Sequence, residues 1–391
     1  MNEKPACTCL GFIIKIRKAK GRGYPVLIFI CRHLTTKMKL SVPYIPDIDY
    51  SGYLQTKVSF LESVYFSLDS GPVLDSRIRF SSADIQTLAQ GLSPFSGIKK
   101  YCLLNSRFIC PDFYMSRSFL SQTLDKLETL YDACGLDGIV ATDFYLINGL
   151  SRTDHPLVSR IEVLPGVNSM IDSPHKALAL LEIIENTRFK PPGKLILDRS
   201  LNRDLQKLET AVLGIKSAYP DMGIELLANE GCIYQCPFKF THDAQISLSN
   251  TGLVRETTHK LNQELGCQAY FHDHGHKFLK SPFIRPEDLV QYENLADSVK
   301  LCGRTLGRRF LIRCVDAYAK GSFDGNLLDL MDAASFLAAS YQIDNKKLDP
   351  GFFTTLTSCT KECKCCNLCA DLFSFAARNS NLILKPYKDC Q

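Results

Sequence analysis

From Met38 onward the chain alternates short apolar runs with longer segments of helical periodicity. The runs are Lys39–Tyr44, Ser63–Ser67, Lys100–Asn105, Leu136–Thr142, Arg160–Val167, Lys194–Leu197, Gly223–Ala228 and Ser298–Cys302. Between them, SFLSQTLDKLETLYDACG sets Leu120, Leu124, Leu127 and Leu130 on one face at three- and four-residue spacing, which predicts an amphipathic helix. SPHKALALLEIIENT opens with Ser173 and Pro174, an N-cap followed by a proline where its missing N–H is not needed. Continuous apolar strands between such helices predict a parallel sheet covered on both faces. Eight units over about 270 residues fit an α/β fold, a (β/α)8 TIM-barrel-like core. An open doubly wound sheet is the alternative, although no GxGxxG follows a first strand.

Residues 1–37 carry no clean period of either kind, and Met38 is the expected start of the compact domain. The chain therefore divides into a basic N-terminal extension (1–37), a barrel (38–320) and a cysteine-rich C-terminal extension (321–391). Apolar residues make up 45% and charged residues 22%, ordinary proportions for a globular protein. The net charge of +5 suits an anionic ligand and leaves nucleic acid open without requiring it. No apolar run is long enough for a membrane span. The N-terminal apolar stretches are short and split by basic residues, so no secretory leader is expected and a cytoplasmic location is.

Cysteine changes the picture. There are 17, and five lie between Cys359 and Cys369. Reduced thiols clustered in a cytosolic chain point to metal ligation more than to disulfides. Cys232 and Cys236, with three residues between them, directly follow the seventh run, and Cys267 follows Gly266 in the next loop. Thiolates placed this way suit zinc or an iron–sulfur cluster, and Pro237 after Cys236 tilts the reading to the latter. In CTKECKCCNLC, Cys359, Cys363, Cys366 and Cys369 stand at metal-ligand spacing among polar residues. They form a candidate second metal site, iron–sulfur or zinc. HDHGH at His272–His276 is expected to be a solvated loop, and His242 an ordinary histidine.

A barrel carries its chemistry at the C-terminal ends of its strands. Those ends hold Asn105 and Arg107 after the third run, DRSLNRD with Arg203 after the sixth, and Asn229 and Glu230 after the seventh. Arg285 precedes the eighth run and Arg304 follows it. Arg203, Arg285, Arg304, Asn229 and Glu230 are the candidate catalytic residues.

The segments LLNS, SLNRDLQKLE, LLANEGCIYQCPFKFTHD, KSPFIRPEDL, KLCGR and YQIDNKKLDPGFF, followed by the cysteine-rich tail, resemble the collagenase-like peptidase family U32 from about Met38 to Cys369. The resemblance implies a TIM-barrel-like core with a 4Fe-4S cluster, held here by Cys232, Cys236 and Cys267. The family's better-known members space two cluster cysteines six apart, where this chain has three intervening residues. Their segment matching RPEDLV often holds a cysteine that this chain lacks, so the fourth ligand stays open, with Cys302 and the tail thiols as sources.

Three functions follow as expectations. The first is an O2-independent hydroxylase or maturation enzyme, with prephenate as oxygen donor gripped by Arg203, Arg285 and Arg304 through charge-assisted hydrogen bonds. The second is a peptidase, although no GxSxG, HExxH or telling Cys/His pair is present. The third is a non-catalytic iron–sulfur scaffold. The substrate class, small organic molecule or peptide, stays open, and so does a partner chain.

Overall fold

Alternation within the strands builds the molecule. The computed structural model describes residues 38–68, 74–77, 84–254, 258–348 and 350–380, and the extension 1–37 lies outside them. Eight strands, β1 (Lys39–Pro43), β2 (Leu61–Ser67), β3 (Lys99–Leu104), β4 (Gly138–Ala141), β5 (Glu162–Pro165), β6 (Lys194–Ile196), β7 (Gly223–Leu227) and β8 (Ser298–Lys300), run parallel. Their order is β5-β4-β3-β2-β1-β8-β7-β6. All eight expected runs are strands, trimmed by one to three residues at one or both ends in most cases.

The two outer strands of that order, β5 and β6, face each other and nearly close the barrel. No ladder joins them; isolated bridges at Glu162–Lys190 and Ile171–Leu197 do. The seam is stitched by Lys190 N–H to Ile161 O (3.0 Å) and Asp198 N–H to Ile171 O (2.7 Å). Gly193 N–H adds a bond to the Glu162 carboxylate (2.6 Å).

One side of each strand faces the surrounding helices. Leu40, Val42, Val64, Phe66, Ile139, Val163, Leu195, Ile224, Leu226 and Val299 join the large apolar core there. The helix Arg117–Cys134 buries Leu120, Leu124, Leu127 and Leu130, is capped by Ser116 and ends at Gly135 with φ +73°, a left-handed stop that glycine adopts without strain. The helix Pro174–Glu185 starts at Ser173, whose side chain accepts the Lys176 N–H.

Every second strand residue points the other way, into the barrel. Tyr65, Tyr101, Leu103, Val140 and Leu164 form a separate small cluster there. Beside it lies a charged layer the apolar reading did not foresee. Lys194 Nζ contacts Glu225 Oε2 at 2.6 Å, Ser41 Oγ at 2.9 Å and Ser63 Oγ at 3.1 Å. Ser298 Oγ donates to the same Glu225 oxygen at 3.0 Å. Gly138 leaves room for Glu162: a Cβ there would lie 2.5 Å from its carbonyl oxygen.

The chain beyond the barrel packs back on it, and the described residues belong to one compact unit. Phe352, Phe353 and Leu356 of the helix Phe352–Thr357 are buried. Tyr341–Ile343 pairs antiparallel with Ala377–Asn379, and the helix Leu368–Ala376 lies between those two strands in sequence.

Candidate functional site

Each strand of the second half hands a polar segment to the C-terminal mouth of the barrel. After β6 a tight turn, Arg199–Arg203, begins under a cap from Asp198, whose side chain accepts the Ser200 N–H. That turn aims Arg199 across the mouth, where its guanidinium pairs with the Glu230 carboxylate and lies 3.8 Å from Cys232 Sγ. A second guanidinium nitrogen, Arg199 Nη2, is buried without a partner among the described residues.

After β7 the chain turns on Gly231 at φ +73°, where a Cβ would approach Ala334 and Met331 at 3.1 and 3.2 Å. This places Cys232 beside Arg199. Gln235, at φ +51°, makes the turn that brings Cys236 round, and the helix Lys239–Asn250 follows. Cys267 begins the helix Cys267–Asp273. Burial pushes the Cys232 thiol up to about 11, with Cys236 and Cys267 adding to the rise and Arg199 and Lys239 opposing it. Burial and then Cys236 likewise push Cys267 up to about 11. The three thiols therefore share one electrostatic neighbourhood, with two cations beside it. Among the described residues no three His, Cys, Asp or Glu side chains already converge at metal-binding distance. The donor set, soft thiols with adjacent cations that favour thiolate, suits a soft metal centre that draws its ligands in on binding.

Cationic groups extend the mouth. Lys239 Nζ contacts Asp243 at 2.5 Å and Asn168 at 2.9 Å, and burial followed by Arg199 lowers it to about 8. Arg107 Nη2 holds Asp243 at 2.8 Å. Burial and then Lys239 push His242 down to about 4, so it is neutral near pH 7. Across the mouth, Arg304 pairs with Asp75 and Arg77 with Asp332 (2.5 Å). Cys302 sits near this quartet; burial and then Asp332 raise its thiol. A cleft of about 310 Å³ opens beside the thiols, lined by Arg199, Ser200, Cys236, Lys239, Lys176 and Phe240 among others.

The sequence-derived candidates separate into groups. Glu230, Cys232, Cys236 and Cys267 meet at the mouth, and Arg304 reaches its far side through Asp75. Asn229 is fully buried beneath it: Oδ1 accepts the Cys302 N–H (2.6 Å), while Nδ2 donates to Cys302 O (3.1 Å) and Leu330 O (2.9 Å). Arg285 lies away from the thiols, forked onto Asp288 by two 2.9 Å bonds and bonded to Leu348 O. Arg203 is buried too, its Nε on Ser281 O (2.9 Å) and its guanidinium 4.7 Å from the centre of the Phe283 ring. The three arginines expected to grip one anion thus stand in three places.

The cations that do face the thiols, Arg199 and Lys239, were not singled out. Arg199 lay within the same DRSLNRD segment as Arg203, and only the turn geometry decides which arginine faces the mouth. The four tail cysteines line a different cleft, beside Arg203, Lys277 and Lys280. No helix among the described residues is long and apolar enough to cross a membrane.

No family model matches the chain. It is 30% identical over 256 residues to an uncharacterized protease of Methanocaldococcus jannaschii, a match covering 65% of this chain and 69% of that one. A solved U32 peptidase superposes with a TM-score of 0.44 at 12% identity, covering 67% of this chain and 91% of that chain. On the extent and identity of the sequence match, with the expected strands in place, the chain belongs to the U32 peptidase family.

Proposed function

We propose that this U32-family chain is an iron–sulfur enzyme of the O2-independent hydroxylase or maturation type. In this reading Cys232, Cys236 and Cys267 hold a 4Fe-4S cluster at the barrel mouth. The observation that carries it is the shared neighbourhood of those three thiols beside Arg199, next to an open cleft. When bound, such a cluster supplies an electron-accepting centre on which an oxygenated organic ligand can be activated.

The chain's own residues do the rest. Arg199 and Lys239 offset the negative charge of the thiolates and of an anionic ligand in the cleft. An oxygen-donor carboxylate such as prephenate would meet Arg199 and Lys239 first, in place of the Arg203, Arg285 and Arg304 set. Glu230 holds Arg199 in place, and Ser200 and Lys176 line the cleft where an organic or peptide substrate would lie.

The protease name of the relative favours a peptidase as the second reading. Against it, burial raises the Cys232 and Cys302 thiols, the opposite of what a thiolate nucleophile needs.

Anaerobic purification with iron and sulfide analysis tests the proposal. Wild type and a Cys134→Ser control should be brown, with about four irons per barrel site. Cys232→Ser and Cys236→Ser should bleach and lose that iron. A colourless wild-type chain that cleaves peptides would sink the proposal in favour of the peptidase.

A further inference from the structure

We infer that the tail builds a second, separate thiolate metal centre from Cys359, Cys363, Cys366 and Cys369, docked on the segment Gly275–Lys280. The four thiols line one cleft of about 100 Å³. Within it, Lys280 Nζ donates to Cys363 Sγ at 3.3 Å and the Lys361 N–H donates to Cys359 Sγ at 3.3 Å. Lys361 adopts φ +63°, a left-handed conformation unusual for a side-chain-bearing residue, and the Cys363 N–H closes the turn onto Lys361 O at 2.9 Å. The result is a tight knuckle that turns a backbone N–H onto one thiol and folds the next one back beside it. Cys369 feels Cys359, Cys363 and Cys366 as well as Lys277.

Charge supplies the second, independent argument. The cleft wall carries Arg203, Lys277, Lys280 and Lys361 against a single carboxylate, Glu362. Arg203 is 3% exposed, and its Nη2 has no partner among the described residues. Neutral thiols leave that concentration of positive charge without an answer, and burying a cation without a counter-charge is costly. Four thiolates around zinc, or around a 4Fe-4S cluster in its usual oxidised state, carry a net charge of about −2 in either case. That charge offsets the cations, and the two N–H···S contacts are the kind that orient and stabilise a metal thiolate. Closing the sulfurs onto one point needs movement only within a short polar segment, and metal binding supplies the ordering energy.

This centre is independent of the barrel-mouth cysteines, and the test separates the two. Full-length protein, purified without oxygen, is loaded either with Zn2+ or with Fe2+ and sulfide. Cys363→Ser/Cys366→Ser should lower the bound metal by one zinc or by about four irons per chain, whichever the site selects, while Cys232→Ser leaves that share in place. Lys280→Met should weaken metal retention against a chelator by about 10-fold or more. A second measurement needs no variant. In the loaded wild type, Cys359, Cys363, Cys366 and Cys369 should resist alkylation while the neighbouring Cys365 reacts, and chelator should release all four. Unchanged metal content in the double variant, or tail thiols that alkylate as fast as Cys365 in the loaded protein, overturns the inference.

Discussion

Replacing Asn229 by Ala removes the amide that ties the ends of β7 and β8 to the segment passing over the barrel mouth. The side chain is fully buried and makes three hydrogen bonds, to Cys302 N–H, Cys302 O and Leu330 O. The Cys302 N–H would be left unpaired, a loss of roughly 1–3 kcal/mol for a buried donor. Two carbonyls lose a donor as well, although Leu330 O keeps a weak contact with Cys314 Sγ at 3.6 Å. Together with the small void, the expected destabilisation is about 3–5 kcal/mol, a large share of the roughly 5–15 kcal/mol that holds a domain together. Urea unfolding followed by circular dichroism measures it.

Asn229→Asp makes the test sharper. Its carboxylate would face two carbonyl oxygens, so the folded state raises its pKa. Stability should then be lowest at neutral pH and recover on acidification, because the folded state takes up the proton first. If Asn229→Ala costs under about 1 kcal/mol and abolishes activity, Asn229 belongs to the reacting centre and not to its support.

Three further outcomes follow from the packing. Lys194→Met leaves Glu225 buried in the barrel and should cost about 3–5 kcal/mol, whereas Lys194→Met/Glu225→Leu should recover most of it in the same urea titration; equal losses in both would refute the paired-charge account. Burial lowers Lys300 to about 8, so between that pH and its unfolded value near 10.4 the unfolded chain binds more protons and wild type should gain on Lys300→Met by up to about 1.4 kcal/mol per pH unit; parallel unfolding curves at pH 7.5, 8.5 and 9.5 would contradict this. Ending the chain after residue 349 removes buried Phe352, Phe353 and Leu356 and should unfold the barrel, because large buried apolar side chains are worth about 2–5 kcal/mol each; ending it after Ser358 should leave a cooperative thermal melt.

The strands were legible because each was a short apolar run bounded by polar turn residues, and the two best helices announced themselves through leucine spacing and a Ser-Pro start. What periodicity could not separate was the inside of the barrel from its outside. Lys194, Glu225 and Lys300 lie within runs that read as continuous, and their inward alternation appears only once the sheet curls. At the mouth, the thiols were legible from spacing, whereas their cationic neighbours were not. Arg199 and Arg203 are four apart in a turn that sends one to the mouth and the other under Phe283, and no one-dimensional pattern encodes that choice. Asp75 and Arg77 follow β2 in a segment with no motif, and Asp332 pairs with Arg77 from 255 positions away. The buried aromatics of 352–353 read as part of an extension, yet their stacking under Arg203 and Arg285 makes them part of the core.

The unladdered seam between β5 and β6 gives the barrel a preferred place to breathe. Opening it breaks a few isolated hydrogen bonds, where parting any other neighbouring pair means unzipping a ladder, so deuterium should enter the amides of Glu162–Val163 and Lys194–Ile196 before the other strands. β6 leads directly into the turn that carries Arg199. Each excursion of the seam therefore loosens the guanidinium from Glu230 and Cys232, so solvent reaches the thiols in step with the motion of a strand edge. Deuterium uptake at β6 and alkylation of Cys232 should rise together with temperature, which makes the seam a kinetic gate for whatever the mouth holds.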